Sequence, residues 1–248
     1  MGVAALIGFC LALVVPASGQ DDPLRRAAQL DAEQKCEEAE GYYRQSHSQN
    51  QPSAALLNNL GNHYLICGDR DQAEIYFERL LKINPAHANG NLQLARIAVE
   101  RKQGTRALQY LSQVKDTSPA VRLLRAEAWQ YAGKTAAALS ILDTLEQESK
   151  GDPGVLLALG MTCARIGYYD RAENAFNGAL AMYPDDFDLL FNLGRAAARA
   201  RHWDRAQRAL EVAVKLRPAD SDALLELGLV YAARQDFSRS VYVLALAR

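Results

Sequence analysis

No CxxC pair, no two histidines four residues apart and no Cys/His cluster occur in the 248 residues. Nothing therefore has the spacing of a zinc site, and no metal or cofactor is expected. A Gly-rich phosphate loop, HExxH and GxSxG are also missing, which removes the sequence signatures of nucleotide hydrolysis, metalloproteolysis and serine catalysis. The acid pairs Glu37-Glu38 and Asp185-Asp186 stand where helices are expected to begin, and carboxylates there meet the positive end of the helix dipole. They read as structural and not as a general acid–base pair, so the chain is not expected to be an enzyme. A net charge of −1 supplies no global field to recruit nucleic acid or anionic membrane. Charge is nonetheless uneven. Residues 21–53 hold seven acids against four bases, and residues 187–218 hold seven bases against three acids.

Residues 1–20 lack any charged side chain. Met1 to Val15 is mostly apolar, Pro16 breaks the run, and Ala17-Ser18-Gly19 offers small residues for cleavage. The pattern predicts a secretory signal peptide over 1–19, a mature chain beginning at Gln20, and an extracytoplasmic location. An apolar run of about 15 residues falls short of a membrane span, so no stable membrane insertion is expected after cleavage. With no Lys or Arg in this segment, an uncleaved anchor stands as the alternative. Cys10 lies inside the run, which leaves Cys36, Cys67 and Cys163 in the mature protein. An odd count leaves at least one thiol unpaired within the monomer.

What the chain does have is a period. Leu60-Gly61, Leu94-Ala95, Arg125-Ala126, Leu159-Gly160, Leu193-Gly194 and Leu227-Gly228 recur every 34 residues, with one step of 31. Ala73, Ala107, Ala138, Ala172, Ala206 and Ser240 keep the same spacing, as do Phe77, Leu111, Leu142, Phe176, Leu210 and Leu244. Pro85, Pro119, Pro184 and Pro218 close four of the units. A fixed period of this length predicts a stack of supersecondary units, each packed only on its neighbours. The residues that recur are packing residues, not chemical ones.

Each unit reads as two amphipathic helices. In 54–87, Leu57, Leu60, Tyr64 and Leu65 lie at helical spacing. Cys67-Gly68-Asp69-Arg70 breaks the pattern, with glycine suited to the left-handed residue that ends a helix. Ala73, Ile75, Phe77, Leu80 and Leu81 form the second helix, which Asn84-Pro85 stops. Asp152-Pro153, Asp185-Asp186 and Asp220-Ser221 carry helix-start chemistry. Gly61 and Ala73 are expected where the two helices cross closest, with Phe77 filling the wider gap. At the 31-residue step, Pro119 both ends one unit and opens the next, and three residues are expected to be lost from the connecting loop.

This pattern resembles the tetratricopeptide repeat: Leu-Gly, Tyr, a turn glycine, Ala, Phe and Pro at fixed positions over 34 residues. The resemblance implies an all-α fold, a right-handed α-solenoid of stacked helix-turn-helix repeats. Its units are 54–87, 88–118, 119–152, 153–186, 187–220 and an incomplete 221–248. Residues 20–53, with Ala39 and Tyr43 one period before Ala73 and Phe77, form a degenerate first unit. Nothing in the sequence covers Leu227, Tyr231 and Leu244, so continuation of the natural protein beyond Arg248 is expected.

The resemblance also implies a function, the binding of a polypeptide partner in the groove lined by the first helices. Carried over position by position, the groove holds Asn58, Asn62, Leu92, Arg96, Leu123, Gln130, Met161, Arg165, Phe191, Arg195 and Arg199. Asparagines there are expected to hydrogen-bond a ligand backbone, and the arginines to prefer an acidic segment. Some family members clamp a terminal carboxylate with Lys and Asn. Here Asn58 occupies a usual lysine position and Glu127 adds a repelling charge, which argues against such a clamp. Tyr42-Tyr43 and Tyr168-Tyr169 suggest stacking, although one member of each pair fits repeat packing. The stacking implied by the resemblance brings the turns at Cys36 and Cys67 to one edge, within about 6 Å. A disulfide and two free thiols are the alternatives there, while Cys163 is expected to be a buried apolar thiol. The competing functional reading is the repeat region of a larger exported enzyme or of an envelope or secretion assembly.

Overall fold

A computed structural model describes residues 22–49, 52–149 and 151–247. The segment 1–19, expected to be a signal peptide, and with it Cys10, lie outside them. Every regular element among the described residues is an α-helix, fourteen in all. Contacts divide the chain into two units, one reaching to Thr117 and taking in Ala128–Lys134, the other holding Ser118–Glu127 and everything from Thr135 onward. The division falls at Ser118, where the sequence period shortens.

The N-terminal unit comprises α1 (Pro23–Ala32), α2 (Cys36–Gln49), α3 (Ala54–Ile66), α4 (Arg70–Ile83), α5 (Ala88–Glu100) and α6 (Gly104–Leu111). The second half of α7 (Pro119–Tyr131) belongs with it. The C-terminal unit takes the first half of α7, then α8 (Thr135–Glu148), α9 (Pro153–Arg165), α10 (Tyr169–Leu180), α11 (Phe187–Arg199), α12 (Trp203–Leu216), α13 (Ser221–Ala233) and α14 (Phe237–Leu246).

Local chemistry sets the helix starts. Asp22, Ser53, Asp69, Asp152, Asp186, Asp220 and Asp236 each accept a hydrogen bond from a first-turn backbone N–H, and each such cap contributes about 1 kcal/mol. The turn inside each helix pair is equally regular. Its left-handed residue is Gln34, Gly68, Lys102, Gly133, Gly167, Arg201 or Gln235, so the 34-residue period and its single step of 31 reappear in the backbone. Gln34 places the same turn between α1 and α2, ahead of the part of the sequence where the motif is strong.

Packing follows the small residues. A Cβ built on Gly61 would lie 2.6 Å from the Phe77 ring, and one on Gly160 2.6 Å from the Phe176 ring. The close approach at glycine is thus to the large apolar residue of the second helix, and Phe77 fills this approach rather than a wider gap. Leu57, Ala73, Phe77, Leu80, Leu94 and Ile97 then form one core that ties α3 and α4 to α5. Leu210, Leu224, Leu227, Tyr231 and Val243 do the same for α12, α13 and α14. On the surface, Arg101 pairs with Asp71 at 2.5 Å and with Glu74, and Arg106 with Glu78 at 2.7 Å, stitching each pair to the next.

The short step is not where the sequence placed it. The connection 112–118 is longer than the connection 84–87, and the residues are lost from α6, which has only 8 against 14 in α4. Gly104, the first residue of α6, meets α7 closely. A Cβ there would lie 2.2 Å from the Ala132 backbone nitrogen and 2.4 Å from the Ala128 carbonyl oxygen, so the start of α6 sits directly on the end of α7.

Candidate functional site

In the C-terminal unit, first-helix residues four apart share a face of their helix. Met161 and Arg165 on α9 meet Asn192, Arg195 and Arg199 on α11, and with Ala164, Ala196 and Tyr169 they line a pocket of about 400 Å³. Met161, Arg165, Arg195 and Arg199 are exposed. Four residues chosen from sequence thus surround one cavity. Phe191 is half-buried beside it, stacked on Phe187 at 5.8 Å, with the Arg195 guanidinium 5.3 Å above its ring.

The three arginines are not equivalent. Arg165 donates to both oxygens of Glu127, at 2.7 and 2.9 Å, and Thr162 approaches the same carboxylate at 3.5 Å. Burial pushes the Glu127 carboxyl up from its ordinary range, while Arg165 pulls it back. Glu127 is therefore a buried, neutralised partner, and the expectation of a repelling groove charge is corrected. Arg195 lies 3.2 Å from Glu226, on α13. Arg199 has no ion pair or hydrogen bond to any described residue. Asp188, in the first turn of the same helix, lies 3.8 Å from Arg217.

The N-terminal unit departs further from the sequence reading. Asn58 and Asn62 are fully buried. Asn89 donates to the carbonyl oxygens of both, at 2.8 and 3.3 Å, and Gln93 donates to Asn89 at 3.1 Å. The amide oxygens meant for a ligand backbone are thus spent within the protein, and the Asn62 amide nitrogen has no hydrogen-bond partner among the described residues. Leu92, Arg96 and Gln130 are half-buried, with desolvation lowering the Arg96 pKa. Leu123, in the C-terminal unit, is buried outright. These positions hold the right helices but are wholly or partly buried, and for Asn58 and Asn62 the covering residue is Asn89 of the next first helix.

Two features escaped the sequence. Tyr169 lines the pocket although it lies on α10, and the Tyr-Tyr pair was its one signal. The other is a buried cluster in the N-terminal unit. Asp31 accepts from the Tyr43 hydroxyl at 2.6 Å and pairs with His63 Nδ1 at 2.6 Å. Beside them Cys36 and Cys67 are joined in a disulfide, with Cα atoms 5.9 Å apart. Cys163 is free and buried.

Tetratricopeptide-repeat family models match residues 54–87, 153–196 and 191–248. The chain carries tetratricopeptide repeats. No curated protein matches it. Among solved structures, a tetratricopeptide repeat protein from Parabacteroides merdae aligns with a TM-score of 0.72 at 16% identity, over 91% of this chain and 90% of that one. The APC/C hetero-tetramer Cut9-Hcn1 aligns with a TM-score of 0.63 at 18% identity, over 94% of this chain but 46% of that one. The chain therefore spans about half the length of that relative. The human IFIT1 dimer with m7Gppp-AAAA gives 0.54 at 16% identity, over 90% of this chain and 59% of that one. At these identities the likeness carries the fold alone. Tetratricopeptide repeats are in general scaffolds for protein–protein interaction, not catalysts.

Proposed function

We propose that the chain is an exported interaction scaffold and that its C-terminal unit binds an acidic polypeptide segment. The observation that carries this reading is the α9–α11 pocket. Its floor is small and apolar at Ala164 and Ala196, its wall carries Met161 and Tyr169, and Arg199 stands exposed with no counter-charge among the described residues. Arg195 adds a second cation, paired with Glu226 at 3.2 Å and lying over Phe191. A partner carboxylate that displaces water from such guanidinium groups gains a charge-assisted contact of about 1.5–3 kcal/mol. Export rests on the uncharged leader pattern at 1–19, and on a disulfide that an oxidising compartment would preserve.

The test uses the full mature chain and a fluorescent peptide rich in Asp and Glu with one aromatic anchor, read by anisotropy. Binding that weakens with salt is expected, together with at least a tenfold loss in Arg195→Glu/Arg199→Glu at unchanged helicity. Equal affinity in the double variant, or equal affinity for a basic peptide of the same length, would sink the reading. N-terminal sequencing of the native protein tests export separately, and Gln20 is the expected first residue.

A further inference from the structure

Asp31 ends α1, Cys36 begins α2, and His63 and Cys67 lie at the end of α3. Cys36 and Cys67 are 31 residues apart and Asp31 and His63 are 32 apart, close to one repeat, so stacking places each residue of a pair beside the other. We propose that reduction of the Cys36–Cys67 disulfide converts this corner into a site for a borderline-soft divalent ion such as Zn²⁺, held by two thiolates, one imidazole and one carboxylate.

The geometry is close to what a tetrahedral ion requires. Ligand atoms of Asp31, His63 and Cys67 all lie within 4.8 Å of one another. Zinc bonds of about 2.0 Å to nitrogen and about 2.3 Å to sulfur set N and S about 3.6 Å apart. His63 Nδ1 and Cys67 Sγ are 3.6 Å apart. The Asp31–His63 hydrogen bond at 2.6 Å has to open by less than 1 Å to reach the N···O separation of about 3.3 Å that zinc requires. Tyr43 holds the other carboxylate oxygen, so Oδ1 is the oxygen left to turn toward an ion, a backing arrangement common at metal sites. Once the sulfur–sulfur bond is broken, side-chain rotation must carry Cys36 Sγ to about 3.8 Å from Cys67 Sγ. A Cα separation of 5.9 Å leaves room for this. Asp31 and His63 are buried while both cysteines are partly exposed, so reductant and ion arrive from the sulfur side.

The chemistry balances with a dithiol as reductant. It delivers two electrons and two protons, leaves as its own cyclic disulfide, and yields the Cys36 and Cys67 thiols. The ion then displaces both thiol protons, and the imidazole moves its proton from Nδ1 to Nε2 through water. The second His-acid cluster does not offer the same prospect. There buried Glu173 already holds His202 at 2.6 Å and Arg205 at 3.0 Å, so a guanidinium occupies the place of a cation.

The experiment takes the unmodified full chain, oxidised or reduced with a non-thiol phosphine under nitrogen, and titrates it with Co²⁺ and then Zn²⁺. The reduced chain is expected to show thiolate-to-cobalt charge transfer and the intense visible bands of tetrahedral cobalt. These should saturate at one ion per chain and be abolished by Zn²⁺, and the oxidised chain should show neither. Zn²⁺ should also protect Cys36 and Cys67 from iodoacetamide in peptide-resolved mass spectrometry. Asp31→Asn should weaken binding by about tenfold or more. The proposal is overturned if the reduced, still helical chain gives no charge-transfer band, or if Cys36→Ser and Cys67→Ser both leave the band unchanged. Equal alkylation with and without Zn²⁺ overturns it too, without any variant having to fold, as does helicity lost on reduction that Zn²⁺ fails to restore.

Discussion

Replacing Gly160 by alanine adds one methyl group where the chain has no room for it. The new Cβ would lie 2.6, 2.8 and 2.9 Å from Cε1, Cδ1 and Cζ of Phe176. Carbon atoms in contact prefer about 3.5–4.0 Å, so a fully buried ring must shift by about 1 Å. Overpacking of this kind costs about 1–3 kcal/mol. Alanine's better helix propensity returns about 1 kcal/mol. The net change expected for Gly160→Ala therefore runs from about zero to a loss of about 2 kcal/mol. The sequence contains its own remedy. Where alanine stands at this position, as Ala95 and Ala126, the residue 16 further on is Leu111 or Leu142, whereas Phe77 and Phe176 face only glycine. Leu210 and Leu244 face glycine too, at 2.5 and 2.6 Å from a built Cβ, so leucine is needed for alanine here but does not by itself guarantee room. Phe176→Leu alone should lose about 1 kcal/mol to the void it leaves. Combined with Gly160→Ala it should recover most of the loss, a coupling of about 1 kcal/mol or more. Urea unfolding followed by far-ultraviolet circular dichroism, with an unchanged slope, measures all three variants. Strict additivity would refute the reasoning.

Arg201 and Gln235 take the left-handed turn conformation at φ 63° and 65°, so Arg201→Gly and Gln235→Gly should each raise stability by about 0.5–1 kcal/mol; an unchanged urea midpoint in both would contradict the turn assignment. Peptide mapping of the non-reduced mature protein should yield a Cys36–Cys67 cross-link worth about 3 kcal/mol, and native material in which all three thiols alkylate would count against it. Burial pushes the Cys163 thiol up to about 12, so it should stay unmodified by iodoacetamide at pH 8 until the chain unfolds. Arg165→Ala strands the buried Glu127 carboxylate, and because Arg165 is half exposed the loss at neutral pH is expected near 2 kcal/mol. Burial raises the folded pKa of Glu127, and the variant raises it further, so the folded chain takes up the proton before the unfolded one does. The deficit should therefore shrink as pH falls through the folded pKa, and a deficit constant from neutral to mildly acid pH would refute the pairing.

Helix pairs were legible because the residues that define them repeat. Gly61 and Phe77, or Gly194 and Leu210, announce a crossing by spacing alone, and Asp152, Asp186 and Asp220 announce helix starts. The 31-residue step was legible as a number but not as a structure. Spacing counts residues and cannot say whether a loop or a helix has lost them, and contact between Gly104 and the α7 backbone is visible only once both helices are placed.

The binding surface was less legible, for a reason that follows from the repeat itself. A groove position fixes which helix a residue belongs to, but its exposure depends on the size of its neighbour one period away. Long side chains such as Arg195 and Arg199 reach past the covering helix and remain exposed. Short ones such as Asn58 and Asn62 are overtaken by Asn89 and vanish into an amide network. Arg165 shows the intermediate case, exposed along half its length yet committed at its tip to Glu127. The same periodicity that hides polar residues in one place gathers them in another. Asp31 with Cys36, and His63 with Cys67, lie within a few residues of each other, but neither pair is a ligand set alone, and the two come together only across about a full repeat. In a stacked fold, chemistry should be sought at separations near the period as well as at the short spacings of a single helix.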